Sequence, residues 1–146
     1  MTTVTSTPNA NVPELAFLST FVEAKPAVVL LVEDEEFLRQ MAGGVLESAG
    51  HRVLQASNAR EAAGLFDRYG QIIDLVVTDV ILPGKNGRYL VEEMRTDKPE
   101  LKVMFISGYA ETAVNQRLRE IRGDEYLSKP FSADSLLKKI NQMVRH

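Results

Sequence analysis

Five short apolar runs, each followed by a segment of helical periodicity, restrict what this chain can fold into. The runs are residues 28–32, 52–56, 72–78, 102–107 and 125–128. Phe37, Met41 and Val45 mark the first helical segment, and Ala59, Ala62, Ala63 and Phe66 the second. Leu90, Val91 and Met94 mark the third, Val114, Leu118 and Ile121 the fourth, and Leu136, Leu137, Ile140 and Met143 the last. Strands that alternate with helices predict an α/β fold, a parallel sheet covered by helices on both faces. Right-handed crossovers leave few topologies for it. Local signals agree. Asn58 with Glu61 three residues later reads as a capping box, and Ser132 suits the cap of the last helix. Gly50, Gly70 and Gly123 stand where helices should stop. Gly43 and Gly44 oppose the pattern, at a cost of ~1 kcal/mol each against Ala inside a helix.

Residues 1–26 read as a tail with a short helix, and residues 27–146 as the single globular domain that 146 residues allow. Within the tail, Leu15, Phe17, Leu18, Phe21 and Val22 share one side of a helical wheel, opposite Ser19, Thr20 and Glu23. That face suits packing on the domain, with a linker helix, a dimer contact or disorder as alternatives. The chain has no Cys, so disulfides and thiolate metal sites are excluded. A net charge of −3 argues against nucleic acid or an anionic membrane as partner. No run approaches a membrane span or a signal peptide, so the cytoplasm is the expected compartment.

In parallel α/β sheets, ligands sit outside the carboxyl ends of the strands. The first run ends in Glu33-Asp34, the third in Thr78-Asp79, the fourth in Ser107-Gly108 and the fifth in Lys129-Pro130. Three carboxylates, a hydroxyl and an ammonium thus converge on one rim. Carboxylates ~4 Å apart repel by about 4 kcal/mol at an effective dielectric near 20, so a proton or a cation must intervene. With oxygen ligands only, a hard divalent ion fits, Mg²⁺ before Ca²⁺.

Four stretches, in this order and spacing, resemble the receiver domain of two-component response regulators over residues 27–146. They are Val32-Glu33-Asp34-Glu35, Val77-Thr78-Asp79-Val80-Ile81-Leu82-Pro83-Gly84-Lys85-Asn86-Gly87, Phe105-Ile106-Ser107-Gly108-Tyr109 and Tyr126-Leu127-Ser128-Lys129-Pro130-Phe131. The resemblance implies a flavodoxin-like (βα)5 doubly wound parallel sheet of strand order 2-1-3-4-5. It implies that Asp79 accepts a phosphoryl group from a histidine kinase or a histidine phosphotransfer protein. Asp34, Asp79 and the main-chain carbonyl of Ile81 would bind Mg²⁺. Glu33, where many members have Asp, would reach the metal through water. Lys129 would pair with Asp79 at rest and with a phosphoryl oxygen afterwards, and its bond to Pro130 resembles the family's cis peptide. Ser107 and Tyr126 resemble the switch pair: phosphate draws the hydroxyl inward, and the ring fills the space behind it. Ile81 and Tyr109 flank the path of a hydrolytic water, so a slowly dephosphorylating switch is expected.

Other readings fit less well. A phosphorylation-independent receiver-like module usually lacks the acceptor, the metal acids or the lysine, and all are present here. An aspartyl phosphatase wants a second Asp two residues after the first, where this chain has Ile81. P-loop and dinucleotide glycine patterns are absent. His51 and His146 are expected at the surface, and Arg117, Arg119 and Arg122 read as a solvated or partner-facing patch. No effector segment follows the last helix, so a stand-alone receiver or a piece of a hybrid kinase is expected.

Overall fold

The computed structural model describes residues 26–108 and 124–145. The 14–24 segment, the fourth helical pattern with its three arginines, Tyr109, Gly123 and His146 lie outside these residues.

In chain order the elements are β1 (Val28–Val32), α1 (Glu36–Ser48), β2 (Arg52–Ala56), α2 (Ala59–Tyr69) and β3 (Leu75–Asp79). There follow β4 (Ile81–Leu82), β5 (Lys85–Asn86), α3 (Gly87–Asp97), β6 (Lys102–Ser107), β7 (Glu125–Ser128) and α4 (Ala133–Arg145). Five strands form a parallel sheet in the order β2-β1-β3-β6-β7, while β4 and β5 pair as a separate antiparallel hairpin. Counting sheet strands alone, this is the expected order 2-1-3-4-5.

The strands are apolar without alternation because both faces are covered. Leu30, Val32 and Val76 face α2 and α3, packing with Phe66, Leu90 and Met94. Val29, Leu31 and Val77 face α1 and α4, packing with Leu46, Leu136 and Ile140. The period of two along each strand thus feeds two separate cores.

The caps expected from sequence form. Asn58 Oδ1 accepts the Glu61 amide at 2.8 Å, and Glu61 Oε1 accepts the Ser57 amide at 2.7 Å. Ser132 Oγ accepts the Ser135 amide at 3.0 Å. Gly50, at φ 96°, ends α1 in a conformation that disfavours a side chain. Gly43 has a packing reason, since a Cβ there would meet Gln55 Nε2 of β2 at 2.6 Å, whereas Gly44 has open space.

Two expectations need correction. The third strand starts at Leu75 rather than residue 72, because the Ile72 and Ile73 amides turn back onto the Tyr69 carbonyl. His51 is buried rather than at the surface, because its Nδ1 accepts the Ala27 amide at 3.0 Å. Tyr126 is buried, its ring stacked on Phe105 at 5.4 Å between centroids.

Candidate functional site

The carboxyl ends of β1, β3, β6 and β7 meet at one rim, and main-chain bonds fix it. The Glu33 amide donates to Ala56 O at 3.0 Å, Val80 to Ile106 O at 2.9 Å, and Lys129 to Ser107 O at 2.7 Å. Each bond carries a parallel ladder one step past the strand end, so the side chains at the rim start from a rigid base. The crossover that leaves β1 for the two sides of the sheet opens the crevice between β1 and β3.

Glu33, Asp34 and Asp79 border that crevice, each with a carboxylate oxygen within 4.8 Å of the others'. Glu33 and Asp79 are buried and Asp34 is exposed. Lys129 reaches across β6 to lie 3.1 Å from Asp79 Oδ1 and 3.2 Å from Glu33 Oε1. These are charge contacts without hydrogen-bond alignment, and among the described residues both Asp79 oxygens and Glu33 Oε1 have no hydrogen-bond partner. Glu33 Oε2 accepts the Glu35 amide at 3.0 Å, so Glu33 is tied to its own turn and to Lys129. Arg39 supports the same turn, donating from a guanidinium nitrogen to Glu33 O at 2.9 Å.

One ammonium does not balance three carboxylates. Burial first, then the close approach and charge of Glu33, push the Asp79 carboxyl up to about 8 against the pull of Lys129. Burial draws Lys129 downward, but Asp79 and Glu33 together hold it above its ordinary value. At ~4.8 Å each carboxylate pair repels by roughly 3–4 kcal/mol at an effective dielectric near 20. Orphaned buried oxygens, excess negative charge and an all-oxygen donor set fit a hard divalent cation.

Ser107 closes β6 and Ile81 begins β4, with its side chain 70% exposed beside the rim. The Tyr126 hydroxyl is buried without a hydrogen-bond partner among the described residues, and the Arg88 guanidinium lies 6.0 Å from the ring centroid. The Lys129–Pro130 peptide is cis. Tyr109 lies outside the described residues.

Two features of the site are absent from the sequence reading. The β4–β5 hairpin turns at Pro83-Gly84, with Gly84 at φ 78°. A Pro-Gly pair between short polar and apolar residues is its only sequence signal. Gly87 presses against the Asp79 main chain, where a Cβ would overlap the carbonyl oxygen. No local pattern announces that contact, since it depends on how the loop folds back.

Comparisons with known proteins follow the same geometry. The family profile described as response regulator receiver domain matches residues 29–141. The sensor kinase CckA of Brucella abortus is 37% identical over 118 residues, covering 81% of this chain and 12% of CckA. The response regulator receiver protein CpdR of the same organism is 32% identical over 117 residues, covering 80% of this chain and 95% of CpdR. The crystal structure of the receiver domain from hybrid histidine kinase CckA superposes with a TM-score of 0.69 at 32% identity, covering 80% of this chain and 98% of that one. Vibrio cholerae CheY4 superposes at 0.73 with 26% identity, covering 82% and 99%. The chain spans less than two thirds of several curated relatives, 12% of CckA and 31% of a Thermotoga maritima cyclic di-GMP phosphodiesterase among them.

Proposed function

The chain belongs to the response regulator receiver family of two-component signalling switches, and on that premise we propose that Asp79 is its phosphoacceptor. The observation that carries this reading is the buried Asp79 carboxylate, without a hydrogen-bond partner among the described residues and held 3.1 Å from Lys129 at the β1/β3 crevice. One Asp79 oxygen attacks the phosphorus of a phosphohistidine on a histidine kinase or phosphotransfer protein. The P–O bond forms as the P–N bond breaks, and the imidazole leaves. Lys129 follows the charge from carboxylate to phosphoryl oxygen as a compact point charge. Positioning and charge neutralisation are most of what this transfer needs.

Asp34, Asp79 and the Ile81 carbonyl would hold Mg²⁺, with Glu33 acting through water. Bound there, the ion supplies the positive charge that keeps the carboxylates ionised beside an incoming phosphoryl group. Ser107 and Tyr126 then form the switch that alters a partner-binding face, and the protein works in the cytoplasm with its kinase. No helix among the described residues is long and apolar enough to cross a membrane. The reading is tested with Mg²⁺ and a small acyl-phosphate donor. Intact-mass spectrometry should show one added phosphoryl group on the wild type and none on Asp79→Asn; equal labelling overturns the assignment.

The two metal acids should separate in a Mg²⁺ titration. Asp34→Ala removes a direct ligand whose charge, discounted for exposure, is expected to cost about tenfold in affinity. Glu33→Gln should cost less, because both Glu33 oxygens are already engaged by the Glu35 amide and Lys129. The reverse order would move the direct bond to Glu33.

Lifetime is set by water beside Asp79. Ile81 offers no hydrogen bond to orient an attacking water, and Tyr109 is bulky at the position two after Ser107. Phosphate release after donor removal should quicken in Ile81→Asn, as a carboxamide positions water, and in Tyr109→Ala. A wild type faster than both variants would refute the steric account.

A further inference from the structure

Phe105 of β6 and Tyr126 of β7 stand side by side in register, and their rings stack with centroids 5.4 Å apart. The two are not equally fixed. Phe105 lies in an inner strand, paired with Thr78 on one side and Tyr126 on the other. Tyr126 lies on the edge strand, and its hydroxyl has no hydrogen-bond partner among the described residues. A cavity of about 60 Å³ adjoins both rings, lined also by Arg88, Val91, Glu92 and Arg95 of α3 and by Asp124. Tyr126 is therefore the ring with room to move, and what holds it must act on its face.

Arg88 is placed to do so. Its guanidinium carbon lies 6.0 Å from the centroid of each ring, within reach of a cation–π attraction. Arg95 lines the cavity about two turns further along α3, but it is committed elsewhere. The buried Asp124 carboxylate accepts from it at 2.6 and 3.2 Å, and Leu101 O accepts at 2.8 Å. Arg88 is also set in place by the loop that follows Asp79. Gly87 packs against the Asp79 carbonyl, its amide donates to Val80 O, and Asn86 Oδ1 accepts the Arg88 amide at 2.7 Å. One residue thus separates the main-chain contact with Asp79 from the cation that faces Tyr126. A shift of this loop reaches the ring along a path separate from Ser107.

We propose that Arg88 is a positioning residue for Tyr126: its guanidinium favours the buried place of the ring against Phe105 and carries movements of the Asp79 loop to it. This rests on the reading of Tyr126 as part of the switch. Arg88 then supplies part of the bias toward the inward ring, and the phosphoryl group has less of the shift to make. Loss of the charge should lower the inward-to-outward ratio of the ring about two- to fivefold.

The chain has no Trp and four Tyr, so tyrosine emission reports the ring itself. In the full chain carrying Tyr69→Phe, Tyr89→Phe and Tyr109→Phe, only Tyr126 emits, and acrylamide quenching measures its exposure. Without phosphorylation, Arg88→Met keeps an unbranched side chain and drops the charge, and should raise the quenching constant about twofold or more. Arg88→Lys keeps a cation and should stay closer to wild type. Equal quenching of wild type and Arg88→Met, or an Arg88→Lys as exposed as Arg88→Met, overturns the proposal. In a chain whose one tyrosine is Tyr69, in the last turn of α2, Arg88→Met should change nothing. A rise there too means general loosening and overturns it equally. Mg²⁺ and an acyl-phosphate donor should then narrow the gap between wild type and Arg88→Met, and a gap that persists on singly phosphorylated protein overturns the link to the switch. If neither protein gains a phosphoryl group, the phosphoacceptor reading fails, while the unphosphorylated comparison still decides the role of Arg88.

Discussion

Asp79→Asn should melt above wild type in metal-free buffer at pH 8, although it loses all phosphorylation. The group whose carboxylate is proposed to receive the phosphoryl group is also a source of native-state stress. Asp79 is buried beside Glu33, and its folded-state carboxyl stands at about 8, raised by burial and by Glu33. An unfolded Asp titrates near its ordinary value, so the unfolded chain releases this proton first as pH rises. Below roughly pH 4 both states hold the proton and the group contributes no penalty. Between there and about 8 the native state loses stability progressively, and above 8 the loss is constant. Asn keeps the shape without the charge, so the variant's advantage over wild type should widen from pH 5 to pH 8 and then level. Its expected size is on the order of 2–5 kcal/mol. Added Mg²⁺ should narrow the gap, because a cation bound only by the native wild type stabilises it by mass action. Chemical denaturation of both proteins across this range, with and without Mg²⁺, measures it. An advantage that ignores pH would mean that Asp79 is not a strained carboxylate.

That stress explains how much of the site was legible. Strand ends are visible in a sequence because apolar runs stop abruptly, as at Val32 before Glu33 and at Val77 before Thr78-Asp79. Four of the five sheet strands accordingly have the bounds their apolar runs suggest. The third differs because Ile72 and Ile73 extend its run, while their amides close the turn after α2. Apolar character reports burial, and Ile73 is buried without being in the strand. His51 misleads for a related reason: a lone polar residue next to a strand reads as surface, but a main-chain amide can satisfy it inside. Lys129 was expected beside Asp79; its second contact, with Glu33, depends on a side chain crossing β6 from the edge strand. Distances across a sheet are set by strand order, which periodicity does not encode. Gly87 is harder still, because its partner is a carbonyl oxygen, common to every residue type.

Gly87→Ala should be the most damaging single methyl group added to this chain. A Cβ at Gly87 would overlap the Asp79 carbonyl oxygen and approach Thr78 Oγ1 to 3.3 Å. Neither neighbour is free to yield. Asp79 ends a strand paired with β6, and Thr78 Oγ1 donates to the same carbonyl at 3.0 Å. From the other side, the Gly87 amide donates to Val80 O at 2.6 Å, and Asn86 caps α3 through the Arg88 amide at 2.7 Å. Relief therefore requires the start of α3 and the hairpin to move off the strand together, breaking both bonds. A loss of roughly 3–5 kcal/mol is expected, the range of severe strain and overpacking. In urea that lowers the midpoint by about 2 M for a domain of this size. Gly44→Ala and Gly64→Ala are the controls, since a Cβ at either helical position has open space. Both should gain stability, by up to about 1 kcal/mol. If Gly87→Ala folds but shifts the loop, the carbonyl of Ile81 moves with it, and Mg²⁺ affinity should fall while Asp34 and Asp79 remain. A Gly87→Ala protein with wild-type midpoint and wild-type Mg²⁺ affinity would show that the loop over Asp79 is looser than its contacts imply.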